Sequence, residues 1–218
     1  MSESANKSRT SSDVDAVLTG GYRRFVIVVS GPSGAGKSTF VHELLRRHDD
    51  IVYSVSATSR ARREDEVEGT DYFYLDRDDF RRRIERGEFA EWAEVHGELY
   101  GTLRSQVDGA LAAGKNVLLD IDVQGGRAVR RIYPDGVFIF ILPPSMASLE
   151  SRLRLRGTDS EERIRLRLEN AKREIALAHE YDYAVVNDDR EVAVEKVHAV
   201  VAAERCRASR LIRPRADR

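Results

Sequence analysis

With 218 residues, 41% of them hydrophobic and 33% charged, the chain suits one α/β domain with insertions or two closely packed lobes. A formal net charge of −1 argues against a whole-protein electrostatic design for nucleic acid, and no apolar run approaches the roughly 18 residues of a membrane crossing. The one cysteine, Cys206, excludes an internal disulfide and a cysteine-built metal site and fits a reducing cytoplasm.

Residues 1–21 are rich in Ser, Thr and charge and carry no signal-type apolar segment, so they read as a disordered leader. Phe25 to Ser30 is apolar almost throughout, as expected of a central parallel strand covered on both faces. A helix is predicted from Lys37 to His48 and a second strand from Ile51 to Ser56. The charged run from Ala57 to Gly69 is either a solvated loop or a ligand grip. Tyr72 to Leu75 reads as a short strand. Asp78 then precedes a helix from Asp79 to Arg86, which Gly87 stops. Glu88 to Val95 fits strand or helix, Gly97 to Thr102 reads as a turn, and a helix follows from Leu103 to Ala113. The stretch up to Thr102 interrupts the strand–helix alternation and reads as an inserted lobe.

The alternation resumes with buried strands at Asn116 to Ile121 and Val137 to Leu142. Ser145 caps a helix with Leu149 and Leu153 inward. Asp159 or Ser160 opens a long helix with an apolar stripe at Ile164, Leu168, Ala171, Ile175 and Ala178. A last strand, Tyr183 to Val186, and a helix from Arg190 to Ala208 lead to a basic tail, residues 210–218, that is expected to fray. The fold class is α/β: a three-layer phosphate-loop core with a parallel sheet, an inserted lobe over 57–102 and a helical lid over about 151–170.

The chemistry is concentrated after the first strand. Gly31, Gly36, Lys37 and Ser38 fit G-x-x-x-x-G-K-[ST], with a strand before and a helix after. Glycines let successive N–H groups turn inward on an anion, and the helix adds its positive end. Lys37 can reach the β- and γ-phosphates, and Ser38 can hold Mg²⁺. Without the flanking elements the same residues would be an ordinary glycine-rich turn. Asp120 and Asp122 end an apolar strand, where a carboxylate orients Mg²⁺ or its waters or serves as a turn residue or cap; which of the two faces a metal stays open. The arginines between 152 and 167 suit a lid that closes over phosphates, or a solvated hairpin. Arg163 and Arg167 share a helix face.

Five segments in order then resemble guanylate kinase: SVSATSRARREDEVEGTDYFYL, FAEWAEVHGELYGT, LLDIDVQG, RLRLRGTDSEERIRLRL and VVNDD. The resemblance runs from about Phe25 to Arg207. It implies transfer of the γ-phosphoryl group of ATP to GMP, with Mg²⁺. It gives the ATP phosphates to Gly31, Pro32, Ser33, Gly34, Ala35, Gly36, Lys37, Ser38 and Thr39. Arg152 lies nearer the adenine, Asn187 beside it, and Arg156 and Arg167 bridge the two phosphate chains. The GMP phosphate falls to Arg60, Arg63, Tyr72 and Tyr100, with Glu66 nearby. The guanine falls to Ser56, Glu91, Thr102 and Asp122. Guanine N1–H and N2–H₂ are donors that call for a carboxylate, and adenine lacks that pair. Lys37, Arg60, Arg156 and Arg167 are the implied catalytic set; Ser38 and Asp120 are the implied metal residues. Ala61 stands where the family often has proline, and Thr102 where it often has serine. The alternatives are a ribose bisphosphate kinase, opposed by Ser56, Glu91 and Tyr100, and a non-catalytic protein-binding module, opposed by the intact loop and arginine set. The implied partners are the nucleotides, without nucleic acid or membrane, in the cytoplasm; the oligomeric state is left open.

Overall fold

The computed structural model describes residues 21–95, 97–155, 157 and 159–212. In chain order, β1 (Val26–Ser30) leads to α1 (Lys37–Arg47) and β2 (Ile51–Tyr53). The inserted set follows: β3 (Ala57–Thr58), β4 (Phe73–Tyr74), α2 (Arg77–Glu85), β5 (Phe89–Val95) and β6 (Glu98–Leu103). Then come α3 (Arg104–Ala112), β7 (Asn116–Asp120), α4 (Val123–Ile132), β8 (Val137–Leu142), α5 (Met146–Leu155), α6 (Glu161–Ala176), β9 (Tyr183–Val186) and α7 (Arg190–Arg205).

The main sheet is parallel, in the order β2-β7-β1-β8-β9. All five residues of β1 are buried, and the two-residue period of a strand divides them between two cores. Ile27 and Val29 pack with Phe40 and Leu44 of α1 and with Val194, Val197 and Val201 of α7. Val26 and Val28 pack with Val107 of α3 and Val129 of α4. Both faces are therefore helix-covered, which is why β1 and β8 read as unbroken apolar runs. The chain leaves β1 toward β2 on one side, while β8 and β9 lie on the other. The crevice at the carboxyl end of β1 is thus the topological switch point where α/β sheets bind ligands.

The inserted residues form a second sheet, β4-β3-β6-β5, over a core of their own that includes Ala57, Phe80, Phe89, Leu99 and Leu103. Phe80 and Phe89 stack with ring centroids 4.2 Å apart. The expected turn at Gly97 to Thr102 is instead mostly strand β6. A Cβ on Gly101 would lie 2.7 Å from the Glu91 carbonyl oxygen, so that glycine marks a close strand crossing rather than a bend. Asp76, not Asp78, caps α2; its side chain accepts from the Asp78 and Asp79 amides. Helix α4 was not expected. Gly125 and Gly126 depress helix propensity in its first turn, but neighbouring side chains crowd both positions. A Cβ on Gly126 would stand 2.6 Å from Tyr181 Oη.

The tail packs further than expected. Arg210 is 4% exposed, ion-pairs with Glu204 at 2.7 Å and stands 4.2 Å over the Phe25 ring. Its carbonyl accepts from Arg23 N at 2.7 Å, and Gly21 O accepts from Ile212 N at 3.1 Å. Desolvated but paired on both sides, Arg210 belongs to the core rather than to a frayed end. Residues 1–20 and 213–218, the rest of the predicted leader and tail, lie outside the described residues. Among the described residues no helix is long and apolar enough to cross a membrane.

Candidate active site

The loop from Gly31 to Gly36 joins β1 to α1 at the switch point. Gly31, Gly34 and Gly36 have φ of 147°, 92° and 94°, a region side chains resist. Space forbids side chains as well: a Cβ on Gly31 would be 2.4 Å from Ile141 O, and one on Gly36 would be 2.6 Å from Asn187 Nδ2. Helix α1 begins without a side-chain cap and without an acid in its first turn, so its leading N–H groups and positive end remain available to an anion. Lys37 Nζ arches back to Gly31 O at 2.8 Å. A cavity of about 410 Å³ opens here, lined by the loop, Lys37 and Ser38 on one side and by Asp120, Asp122 and Glu174 on the other.

The three acids differ. Burial raises the Asp120 pKa, and Lys37 pulls it back down. Asp122 caps α4, accepting from Gly125 N at 2.8 Å. Glu174 comes from α6, its pKa raised by burial, lowered by Lys37 and raised again by Asp122. It was not expected in the site. It lies seven residues, two helical turns, beyond Arg167, and that spacing was its only sequence signal. A second cavity, about 640 Å³, continues from Asp122 and Glu174 between α4 and α6.

Helix α5 seats on the loop. A Cβ on Gly34 would lie 3.0 Å from Leu149 Cδ1, and Leu149 and Leu153 are fully buried. Asn187 Nδ2 donates to Ala35 O at 2.7 Å, and Arg152 donates to Asn187 O at 3.0 Å. Ser160 caps α6. Arg163 and Arg167, expected on one face, share the buried carboxylate of Asp159 at 3.3 and 3.2 Å. Arg167 Nη1 also stands 3.4 Å from Ser33 Oγ. Arg156 lies outside the described residues.

The inserted sheet organises a second charged cluster. Register places Tyr74 and Tyr100 on either side of Thr58, and Thr58 Oγ1 accepts from Arg60 N at 3.1 Å. The Arg60 guanidinium lies 5.4 Å from the Tyr72 ring centroid, and Tyr72 meets Tyr100 edge-on at 5.8 Å. Glu66 is the hub. Its carboxylate accepts from Arg60 Nη2 at 2.6 Å, Arg63 N at 2.9 Å and Tyr74 Oη at 2.7 Å. Arg60, foremost, holds the Glu66 carboxyl down at about 2; burial and then Glu66 push the Tyr74 phenol up to about 12. Tyr74 was not singled out from the sequence, where only the repeat Tyr72-Phe73-Tyr74 hinted at two phenols on one face. Arg63 is exposed and Ser56 half-buried.

At the opposite end of this sheet, Glu91 and Thr102 are register partners, joined by Thr102 Oγ1 donating to Glu91 Oε1 at 2.6 Å. A register shift between Phe89 and Glu91 sets the side chain's direction, as bulges do. Burial raises the Glu91 pKa, Thr102 offsets part of that, and Asp122 adds to it. A Cβ on Gly125 would be 3.3 Å from Glu91 Oε2, so the lobe meets the core at the start of α4. The turn from Asp120 to Asp122 therefore lies between the glycine loop and a half-buried carboxylate whose geometry suits paired N–H donors.

A family model described as guanylate kinase matches residues 23–204. Among curated relatives, the guanylate kinase of Thermotoga maritima is 50% identical over 185 residues, covering 85% of this chain and 89% of that one. That of Myxococcus xanthus is 52% identical over 187 residues, covering 85% and 90%. Among solved structures, the crystal structure of guanylate kinase from Anaplasma phagocytophilum superposes with a TM-score of 0.67 at 34% identity, covering 88% of this chain and 91% of that one.

Proposed function

The chain belongs to the guanylate kinase family, an ATP:GMP phosphotransferase family, and on that premise we propose which of its residues do what. The observation that carries the reading is the placement of Asp122, which lines the phosphate-loop cavity and accepts from the amide of Gly125, the residue that abuts the Glu91 carboxylate. Donor and acceptor sites thus meet across one turn.

On the donor side, the loop N–H groups and Lys37 hold the ATP phosphates, and Lys37 stabilises charge on the group in transfer. Arg167, already within reach of Ser33, approaches the same group from the lid, and Arg156 completes the lid pair. On the acceptor side, Arg60, Arg63, Tyr72 and Tyr100 grip the GMP phosphate. Forked guanidinium and phenol donors match a dianion. Glu66 preorders that grip by holding Arg60 and the Arg63 backbone, which lowers the cost of ordering them on binding. Glu91 accepts from guanine N1–H and N2–H₂, while Thr102, Ser56 and Asp122 complete the frame around the base. Phosphoryl transfer needs in-line placement and charge stabilisation more than covalent help, and this division of labour supplies both.

Mg²⁺ fits the donor set. Ser38 and Asp120 offer hard oxygen donors in one cavity, and no group of three or more His, Cys, Asp or Glu among the described residues could hold a metal alone. That suits an ion bound largely through phosphates and water. When bound, it neutralises phosphate charge. Near-neutral net charge and a single cysteine support a cytoplasmic enzyme whose partners are nucleotides.

The test is ADP release from ATP and Mg²⁺ with GMP, dGMP, AMP or ribose 1,5-bisphosphate as acceptor. Turnover with GMP and dGMP well above the other two is expected; folded protein that is inactive with GMP would sink the reading.

A further inference from the structure

Asn187 and Arg152 bear on the phosphate loop itself. Asn187 is 8% exposed, and its side-chain amide is already committed, donating to Ala35 O at 2.7 Å. Arg152 donates to the Asn187 carbonyl at 3.0 Å and makes a longer contact, 3.4 Å, to the same Ala35 oxygen. Gly36 has no side chain in the one place where a Cβ would collide with the Asn187 amide, at 2.6 Å. Three features of separate parts of the chain therefore converge on one peptide, the bond from Ala35 to Gly36.

That peptide is trans and planar, so its C=O and N–H point in opposite directions. Ala35 is fully buried, whereas Gly36 lines the phosphate cavity. Pinning the carbonyl away from the cavity aims the Gly36 N–H into it, beside Lys37. A glycine at φ 94° has no strong preference of its own for that orientation, so the external hydrogen bonds decide it. We infer that Asn187, seconded by Arg152, is a positioning residue for the donor triphosphate: it holds the Ala35–Gly36 peptide in the anion-binding orientation and acts through the loop, whatever base the donor carries.

This rests on the reading of the loop as the ATP phosphate site. The test uses Asn187→Leu, which keeps the branch at Cγ and removes the donor, and Arg152→Ala, which removes the second tie from a half-buried position. Binding of inorganic tripolyphosphate is measured by calorimetry on the full chain. kcat/KM is then measured for ATP, GTP and CTP with GMP as acceptor. Expected for Asn187→Leu is tripolyphosphate binding weakened about tenfold or more. kcat/KM should fall by one common factor for all three donors, with KM for GMP unchanged. Arg152→Ala should follow the same pattern with a smaller loss, and it carries the test should Asn187→Leu not fold. Unchanged tripolyphosphate affinity, with a loss confined to ATP, would overturn the inference and make Asn187 a reader of adenine. Tripolyphosphate binding does not require GMP turnover, so failure of the phosphotransfer reading and failure of this one are told apart.

Discussion

The donor and acceptor halves of the site are built by opposite means. The donor half is a backbone device. Its proposed ligand groups are main-chain N–H groups, shaped by three positive-φ glycines and set against the fully buried strand β1. The acceptor half is a side-chain device. It hangs on strands only two residues long, β3 and β4, and is held by a carboxylate hub among arginines and tyrosines. A backbone site tolerates few substitutions at its glycines but is indifferent to the rest of the nucleotide. A side-chain site can be retuned residue by residue, and it is where discrimination between bases has to reside. The two halves should therefore fail differently when altered.

The largest difference should come from Lys37→Ala. Among the described residues Lys37 is the one cation lining that cavity, and charge on the transferring group is where stabilisation counts most. Turnover should fall by about 10²–10³-fold, with KM for GMP little changed. A rate near wild type, or a defect that appears mainly as a raised KM for GMP, would break the division between the halves.

Glu91→Gln should do the reverse. Turnover with saturating GMP should persist, while discrimination between GMP and AMP narrows by about 1–3 kcal/mol, the cost of mismatching a buried acceptor with its donors. An unchanged ratio of kcat/KM values would mean that Glu91 does not read the base. The same variant sharpens the comparison through pH. Burial raises the Glu91 pKa above that of an ordinary glutamate, so the unfolded chain ionises at lower pH than the folded one. Glu91 thus costs stability as pH rises through its folded pKa, and the cost is absent below the unfolded value. At pH 7 Glu91→Gln should melt higher than wild type, a gain that disappears in acid. GMP binding should weaken in acid as Glu91 takes up its proton, and this contribution should be missing in the variant. A lower melting temperature at pH 7 would show that the ionised carboxylate is compensated in the free protein.

These halves were not equally legible in the amino-acid sequence. The loop is a local signal: Gly31 to Ser38 are consecutive, and the flanking periodicities identify strand and helix without help from the rest of the chain. Its brace is not local, since Asn187 and Ala35 are 152 residues apart, and no spacing rule connects them. In the lobe, the arginines and Glu91 came from the family resemblance, because a charged run alone is equally a solvated loop. Strand β6 was read as a turn because Gly97 and Gly101 resemble turn glycines, yet Gly101 is required by the strand crossing over Glu91 and Phe89. Helix α4 escaped for the same reason at Gly125 and Gly126. In each case local propensity pointed one way and close tertiary approach decided the other.

The smallest effect should separate preorganisation from contact. Tyr74 is assigned no contact with GMP in this scheme; its hydroxyl donates to Glu66 at 2.7 Å, and Glu66 in turn holds Arg60 and the Arg63 amide. Tyr74→Phe removes one of three donors to that carboxylate while keeping the ring beside Arg60. The cluster is half-buried, with Arg60 and Glu66 retaining partial solvent access, so water can take the place of the lost donor and the fold should lose little. What should change is the fraction of time Arg60 and Arg63 spend in the gripping geometry, and with it the entropy that GMP binding must pay. KM for GMP should therefore rise a few-fold, with kcat and KM for ATP unaffected. Because Arg60 holds the Glu66 carboxyl near 2, the effect should not vary between pH 5 and 8. A loss in kcat equal to the change in kcat/KM would place Tyr74 on the reacting phosphate instead. A loss that grows as pH falls toward 5 would mean that Glu66 titrates within that range and that the hub is weaker than its bonding implies.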